Sequence, residues 1–414
     1  MQLDWKKIGL IILFIVAVLF FAFFLYFFFF RTIFTPATQP TNQNTNQANI
    51  NGGLISSTNG NTNRTVIGGL INQVNNPSSA IGQSPVSPIA QGGVTQVQAV
   101  INQPAYFPVL DQNNNLLYYD KKDGKFYRTT ADGQKTAVSE TVFHEVANTV
   151  WSHDRNLAVL QYPDGSNIVY DFKNNKQITL PSHWTNFSFS TDDQQLVFKS
   201  YGLDMENRFL AVAKNDGTGA KILESIGGVE DQFQAAWSPN NQMVATFKEN
   251  KDMNRSNIYF IGLNKENFKS MTVEGRDFQG VWSPQGNAIL YSVYNSDNDY
   301  KPQLWISEAY GDNIGNSRQK IELSTWADKC YFADNSNIYC AVPKDLPYGA
   351  GMDRTIGKTV ADDIYQINLT TGAKSVLAVP DGDHSISSVM TSADKSYLFF
   401  TDANSNKIYK IKLK

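Results

Sequence analysis

Cysteine and histidine are scarce in this chain: two Cys and four His in 414 residues. The four His, at 144, 153, 183 and 384, show no metal-ligand spacing. His153 stands where related segments carry a turn proline, which points to a surface-turn role. No Gly-x-Ser-x-Gly elbow and no Gly-rich phosphate loop occurs, so the common hydrolase and nucleotide motifs are missing. There is no excess of positive charge either. The net charge is −3, and setting aside Lys6, Lys7, Arg31, Arg64 and Asp4 leaves 31 basic and 37 acidic residues. Nucleic-acid binding needs a basic stripe, and none is present.

Charge is absent altogether from two stretches near the N-terminus. Ile8 to Phe30 is a run of 23 residues without a charged side chain. As a helix it is about 34 Å long, enough for a bilayer core of about 30 Å. A cleavable signal peptide is the alternative, but Phe27-Phe28-Phe29-Phe30-Arg31 is a poor cleavage site. A retained anchor over residues 8–30 is expected, following a short cytoplasmic tail over 1–7. Lys6 and Lys7 precede the span and only Arg31 follows closely, which favours the N-terminus inside and the remainder outside. Between Arg31 and Asp111 the one charged side chain is Arg64. Asn, Gln, Thr, Ser, Gly and Pro dominate, and such a segment buries too little apolar surface to offset its ordering entropy. A disordered linker over 31–93 is expected. The uncharged polar stretch from Thr35 to about Val100, as a flexible coil of roughly 66 residues, reaches about 40–50 Å.

What the sequence has in abundance is a repeat. Trp237-Ser238-Pro239-Asn240-Asn241-Gln242 and Trp282-Ser283-Pro284-Gln285-Gly286-Asn287 are near copies, each followed by a β-rich run. Weaker copies begin at Leu110, Trp151, Phe189, Phe332 and Thr391, which makes seven units. Period-two segments such as Ile168-Val169-Tyr170-Asp171, Ile258-Tyr259-Phe260-Ile261 and Ile408-Tyr409-Lys410-Ile411 supply a third strand per unit. A 40–50-residue period with several strands per unit predicts an all-β, seven-bladed β-propeller over 94–414, six and eight blades being alternatives. The recurring aromatic is expected to pack between blades. The last unit has room for three strands, so Val97-Gln98-Ala99-Val100-Ile101 is expected to supply the fourth and close the ring.

The pattern aromatic-Ser-Pro-polar-Gly/Asn, β-run, Ile-Tyr-x-Ile, Asp-Gly resembles the WD-repeat-like units of TolB-type propellers. Similar units occur in prolyl-oligopeptidase-like enzymes. The resemblance covers roughly residues 105–414, and no Trp-Asp dipeptide closes a blade. It implies loops on two faces around a central channel, and protein partners in the cell envelope.

Three local features single out candidate sites. Cys330 and Cys340 are symmetric about Asn335, so a hairpin there opposes them directly; a disulfide is expected, with two buried free thiols the alternative. Asp111-x-Asn113-x-Asn115, Asp297-Asn298-Asp299 and Asp381-Gly382-Asp383-His384 carry candidate ligands, but each reads more readily as a turn than as a metal site. The irregular segments are Ser296–Pro302, Gly311–Arg318 and Pro343–Asp362. Leu346, Tyr348 and Met352 in the last are expected to form an interaction loop, the alternative being a strap that packs on its own blade. The function expected is a membrane-anchored, extracytoplasmic binding platform for an envelope protein or polymer, with no catalysis and no cofactor. The rival is a propeller lyase or hydrolase with its site at the channel mouth.

Overall fold

Alternating apolar residues, punctuated by short polar turns, fold this protein into seven sheets. The computed structural model describes Val18, Phe20 and residues 85–414. The chain divides into two units, Met1–Pro77 and Ser78–Lys414, and the second is the propeller. The expected span over 8–30 lies outside the described residues apart from Val18 and Phe20, both helical. The expected linker lies outside them up to residue 84. Among the described residues no helix is long and apolar enough to cross a membrane.

Five of the seven sheets are antiparallel meanders in sequence order, and the last two are meanders that each take one further strand from upstream. The first strands are Tyr106–Leu110, Asn148–Trp151, Trp184–Phe189, Phe233–Ala235, Arg276–Trp282, Cys330–Phe332 and Ile386–Thr391 in blades one to seven. First strands adjoin one another between blades one and two, two and three, three and four, and six and seven, as expected of an inner wall. Side chains from facing blades fill the wedges. Trp151, Phe189, Trp237 and Phe332 are buried, as expected of the recurring aromatic. Fully burying such a ring contributes roughly 1.5–3 kcal/mol. Two indoles also reach backward: Trp151 Nε1 donates to Phe107 O and Trp282 Nε1 to Ala236 O, each in the preceding blade.

The ring closes as the sequence predicts. Gln98–Ile101 pairs antiparallel with Ile408–Lys412, giving blade seven its fourth strand. A second fastening was not foreseen. Val94–Thr95 pairs in parallel with Val379–Pro380 and becomes a fifth strand of blade six. Just upstream, Ala90 N donates to Lys412 O in blade seven, Gly92 N donates to Leu377 O in blade six, and Ala90 is buried. Asp381 accepts from Val97 N at 2.6 Å. Residues 87–101 therefore staple the last two blades together. Among the described residues, these contacts begin at Ser87.

The hairpin joining the first two strands repeats one device. In blades two, three, four, five and seven, a buried serine accepts the N–H five residues on: Ser152 from Leu157, Ser190 from Gln195, Ser238 from Met243, Ser283 from Ala288 and Ser392 from Tyr397, at 2.9–3.0 Å. The residue three after that position is left-handed in six blades: Asn114, Arg155, Asp193, Asn241, Gly286 and Lys395. Its side group often crosses to the previous blade. Asn114 accepts from Ala393 N, Asp193 from His153 N and Asn241 from Thr191 N. Where the previous blade has Pro239, which lacks an N–H, the left-handed residue is Gly286. A Cβ there would lie 2.6 Å from Asn240 N.

Candidate interaction face

Strand alternation gives the disc two unlike faces. Connections between strands one and two, and three and four, emerge on one face; connections between strands two and three, and between blades, emerge on the other. The first is the hydrogen-bonded turn face just described. The second, the loop face, carries two of the irregular segments, 296–302 and 343–362, while 311–318 joins strands three and four of blade five on the turn face.

Apolar side chains crowd the loop face. Leu203 is 99% exposed, Met253 76%, Tyr348 67%, Met205 62% and Met352 62%. Leu203 and Met205 lie on the strand-two-to-three loop of blade three, Met253 on that of blade four, and Tyr348 and Met352 on that of blade six. Val229, on the connector into blade four, is also exposed. Met and aromatic side chains held out on a rigid scaffold are typical of interface cores.

These loops are held by close backbone contacts. A Cβ on Gly227 would fall 1.9 Å from Met205 O, so the blade-three loop lies directly on the next connector. In blade six, Gly349 N donates to Asp299 O and Gly351 N to Tyr300 O, joining the insert to the blade-five loop. Gly351 has no room for a side chain, with Tyr294 Cβ and Tyr300 O about where a Cβ would sit. Tyr348 stacks edge-on with Tyr300 at 5.6 Å.

The three residues expected in the interaction loop divide. Tyr348 and Met352 point outward. Leu346 does not: it is buried against Trp326 and Ala350 in a small cluster of its own. That corrects the expectation for Leu346, which anchors the insert as a strap while its neighbours stay free. The reason is Trp326, which lies before the first strand of blade six and offers an apolar surface the repeat does not announce. Ile314, in the segment 311–318, is likewise buried, in the core between blades four and five.

Cys330 and Cys340 face each other in the ladder, both buried, with their sulfurs at bonding distance. The oxygen-rich motifs act as turns. Asp111 accepts from Asn113 N and Asn115 N and pairs with Arg128 at 2.9 Å. Asn295 caps the short helical turn that contains Asp297 and Asn298. Among the described residues no cluster of three or more His, Cys, Asp or Glu is arranged to hold a metal ion. His153 sits in its turn with Nδ1 3.0 Å from Asp193.

Two clefts open beside these loops. One, of about 340 Å³, runs between blades four and five, where Lys248 pairs with Asp277 at 2.9 Å and Gln279 donates to the same carboxylate. The other, of about 350 Å³, lies between blades six and seven beneath the insert. At its base Lys329 and Asp362 form a buried pair at 2.5 Å. Burial pulls the Lys329 ammonium below its ordinary range and pushes the Asp362 carboxyl above its own, while their mutual attraction opposes both shifts. The second Asp362 oxygen accepts Ile386 N at 2.6 Å, tying blade six to the inner strand of blade seven.

No protein-family model matches this sequence, and no curated protein matches it. Solved structures do. A subunit of the Mitotic Checkpoint Complex is similar at 14% identity and TM-score 0.51, over 83% of this protein and 98% of that one. The β-propeller domain of Myceliophteria thermophila Cps50 (Swd1) is similar at 8% identity and TM-score 0.51, over 77% and 100%. An oligogalacturonate lyase in complex with manganese is similar at 11% identity and TM-score 0.48, over 77% and 93%. At such identities the likeness speaks for architecture alone: the domain is a seven-bladed, WD40-like β-propeller.

Proposed function

We propose that this protein is a membrane-anchored, extracytoplasmic propeller whose loop face binds a protein or polymer of the cell envelope, without catalysis of its own. The observation that supports this most is the collection of exposed Leu203, Met205, Met253, Tyr348 and Met352 on connections of one face. A solvated face would not select such side chains, and rigid loops spare a partner much of the ordering cost of association. The charge-free run over 8–30 and the polar stretch after it would hold the domain outside the membrane. In that compartment Cys330 and Cys340 would stay oxidised. The rival reading, an enzyme at the channel mouth, rests on the Lys248–Asp277 cleft. There Lys248 pairs with Asp277, and Asp231 is the one further carboxylate in the lining, so no group of acids converges.

Photocrosslinking in intact cells tests the proposal. A photoreactive residue at position 348, 352 or 253 should yield a discrete adduct. The same residue at Ile222, exposed on an outer strand of blade three, should not. Equal labelling from all four positions, or none from the loop face, would sink the platform. Protease added to spheroplasts should degrade the propeller; protection would reject the topology.

A further inference from the structure

We propose that the pocket between blades six and seven receives a carboxylate of the partner polypeptide, either an acidic side group or the free carboxyl terminus, flanked by apolar residues. This rests on the platform reading and names the chemistry of one part of that face. The pocket is lined by Trp326, Lys329, Arg354, Lys358, Ser385 and Ser387, among others.

Unmet hydrogen-bonding capacity points to the ligand. Lys329 is only 4% exposed, and its ammonium has three donors but one acceptor, Asp362. Buried donors without acceptors are costly, so two vacant ones facing a cavity mark a place for an anion. Ser385 is also 4% exposed, and its hydroxyl has no hydrogen-bond partner among the described residues. Lys358, at the pocket's outer edge, has no ion-pair partner among the described residues. Arg354 is already taken: its guanidinium forks onto Asp328 at 2.7 and 3.0 Å and lies 4.8 Å over the Trp326 ring. Among the groups that line or floor the pocket, Asp328 and Asp362 against Lys329, Arg354 and Lys358 leave one net positive charge, which Asp353, outside the lining, lessens by its attraction for Lys358. That suits a monoanion. A phosphate dianion would leave charge uncompensated in a partly desolvated site.

The polypeptide source follows from the rim. The insert that brings Arg354 and Lys358 also presents Met352 and Ile356, exposed one turn away. A bare anion has no use for them, whereas a peptide whose carboxylate is next to apolar residues fills both halves. Each carboxylate oxygen can accept two hydrogen bonds, which matches Lys329, Ser385 and Lys358.

The test selects peptides from a displayed library on the full-length protein. One enriched peptide is then compared with its twin, in which the carboxylate is replaced by an amide. Binding to the wild-type protein should weaken about ten- to a hundredfold in the twin, the range for charge-assisted hydrogen bonds. Lys358→Met and Ser385→Ala should each shrink that difference. Both leave the Lys329–Asp362 pair untouched, so folding is preserved. Peptides that bind wild type and twin alike overturn the carboxylate pocket and leave the platform standing. Failure to enrich any peptide overturns both the pocket and the polypeptide side of the platform reading.

Discussion

The two faces of the propeller are built on opposite terms. On the turn face, five hairpins satisfy their own backbone with a serine, and in three blades a left-handed Asn or Asp also accepts an N–H of the preceding blade, so those blades are coupled turn to turn. On the loop face, connections differ in length and most exposed apolar side chains satisfy nothing in the protein itself. Repetition therefore persists where neighbouring blades supply each other's hydrogen bonds. It lapses where no such demand exists, and that is where a binding surface can vary without unfolding the ring.

One place on the loop face breaks this division, and it gives the largest expected effect. Lys329, Asp362 and Ile386 N couple blades six and seven as tightly as any turn does. Asp362→Ala would strand a buried ammonium and a buried N–H, at a cost of about 3–5 kcal/mol. Urea unfolding of the full-length protein should show it as a shifted midpoint. A change below about 1 kcal/mol would mean that the pair is not desolvated as described.

Acid should act on the turn face next. The hydroxyl of Ser190 holds Asp192 below the usual carboxylate range. Lys395 brings Asp334 down to about 2, and Ser392 does the same for Asp394. A carboxyl depressed in the folded state binds its proton more readily when unfolded. Stability from these groups is thus complete above the ordinary value near 4 and is lost as pH falls from there towards 2. Melting temperature should decline through that window, and Asp394→Asn should flatten the decline slightly. A profile unchanged by that substitution would remove Asp394 from the account.

The turn face was largely legible in the sequence because its device is local. Ser, a polar residue and a left-handed position lie within five residues, and all seven hairpins fall where the repeat starts are read. The opposition of Cys330 and Cys340 follows from the same local symmetry. The staple over 87–95 was hidden, since Pro-Ile-Ala-Gln-Gly-Gly has a linker's composition and its partners lie some 285 residues away. Leu346 and the carboxylate pocket were hidden for a related reason. Trp326, Lys329 and Ser385 are brought to the insert by the closure of blades six and seven, not by neighbourhood in the sequence.

The smallest effect sharpens the contrast within the loop face itself. Leu346 and Leu203 are both leucines on strand-two-to-three loops, and nothing in their local sequence tells which is buried. Leu346→Ala removes atoms packed on Trp326 and Ala350, and should cost about 2–4 kcal/mol, near the lower end if the strap relaxes. Leu203→Ser, together with Met253→Ser, removes side chains that touch mainly water, and should stay within about 0.5 kcal/mol. Thermal melts of the two variants side by side would separate anchor from contact. If the exposed pair proves as costly as Leu346, those side chains pack on something within the folded protein, and the free apolar surface on blades three and four does not exist. If the exposed pair is silent in the melt yet abolishes crosslinks from position 253's neighbours, their only remaining role is to meet a partner.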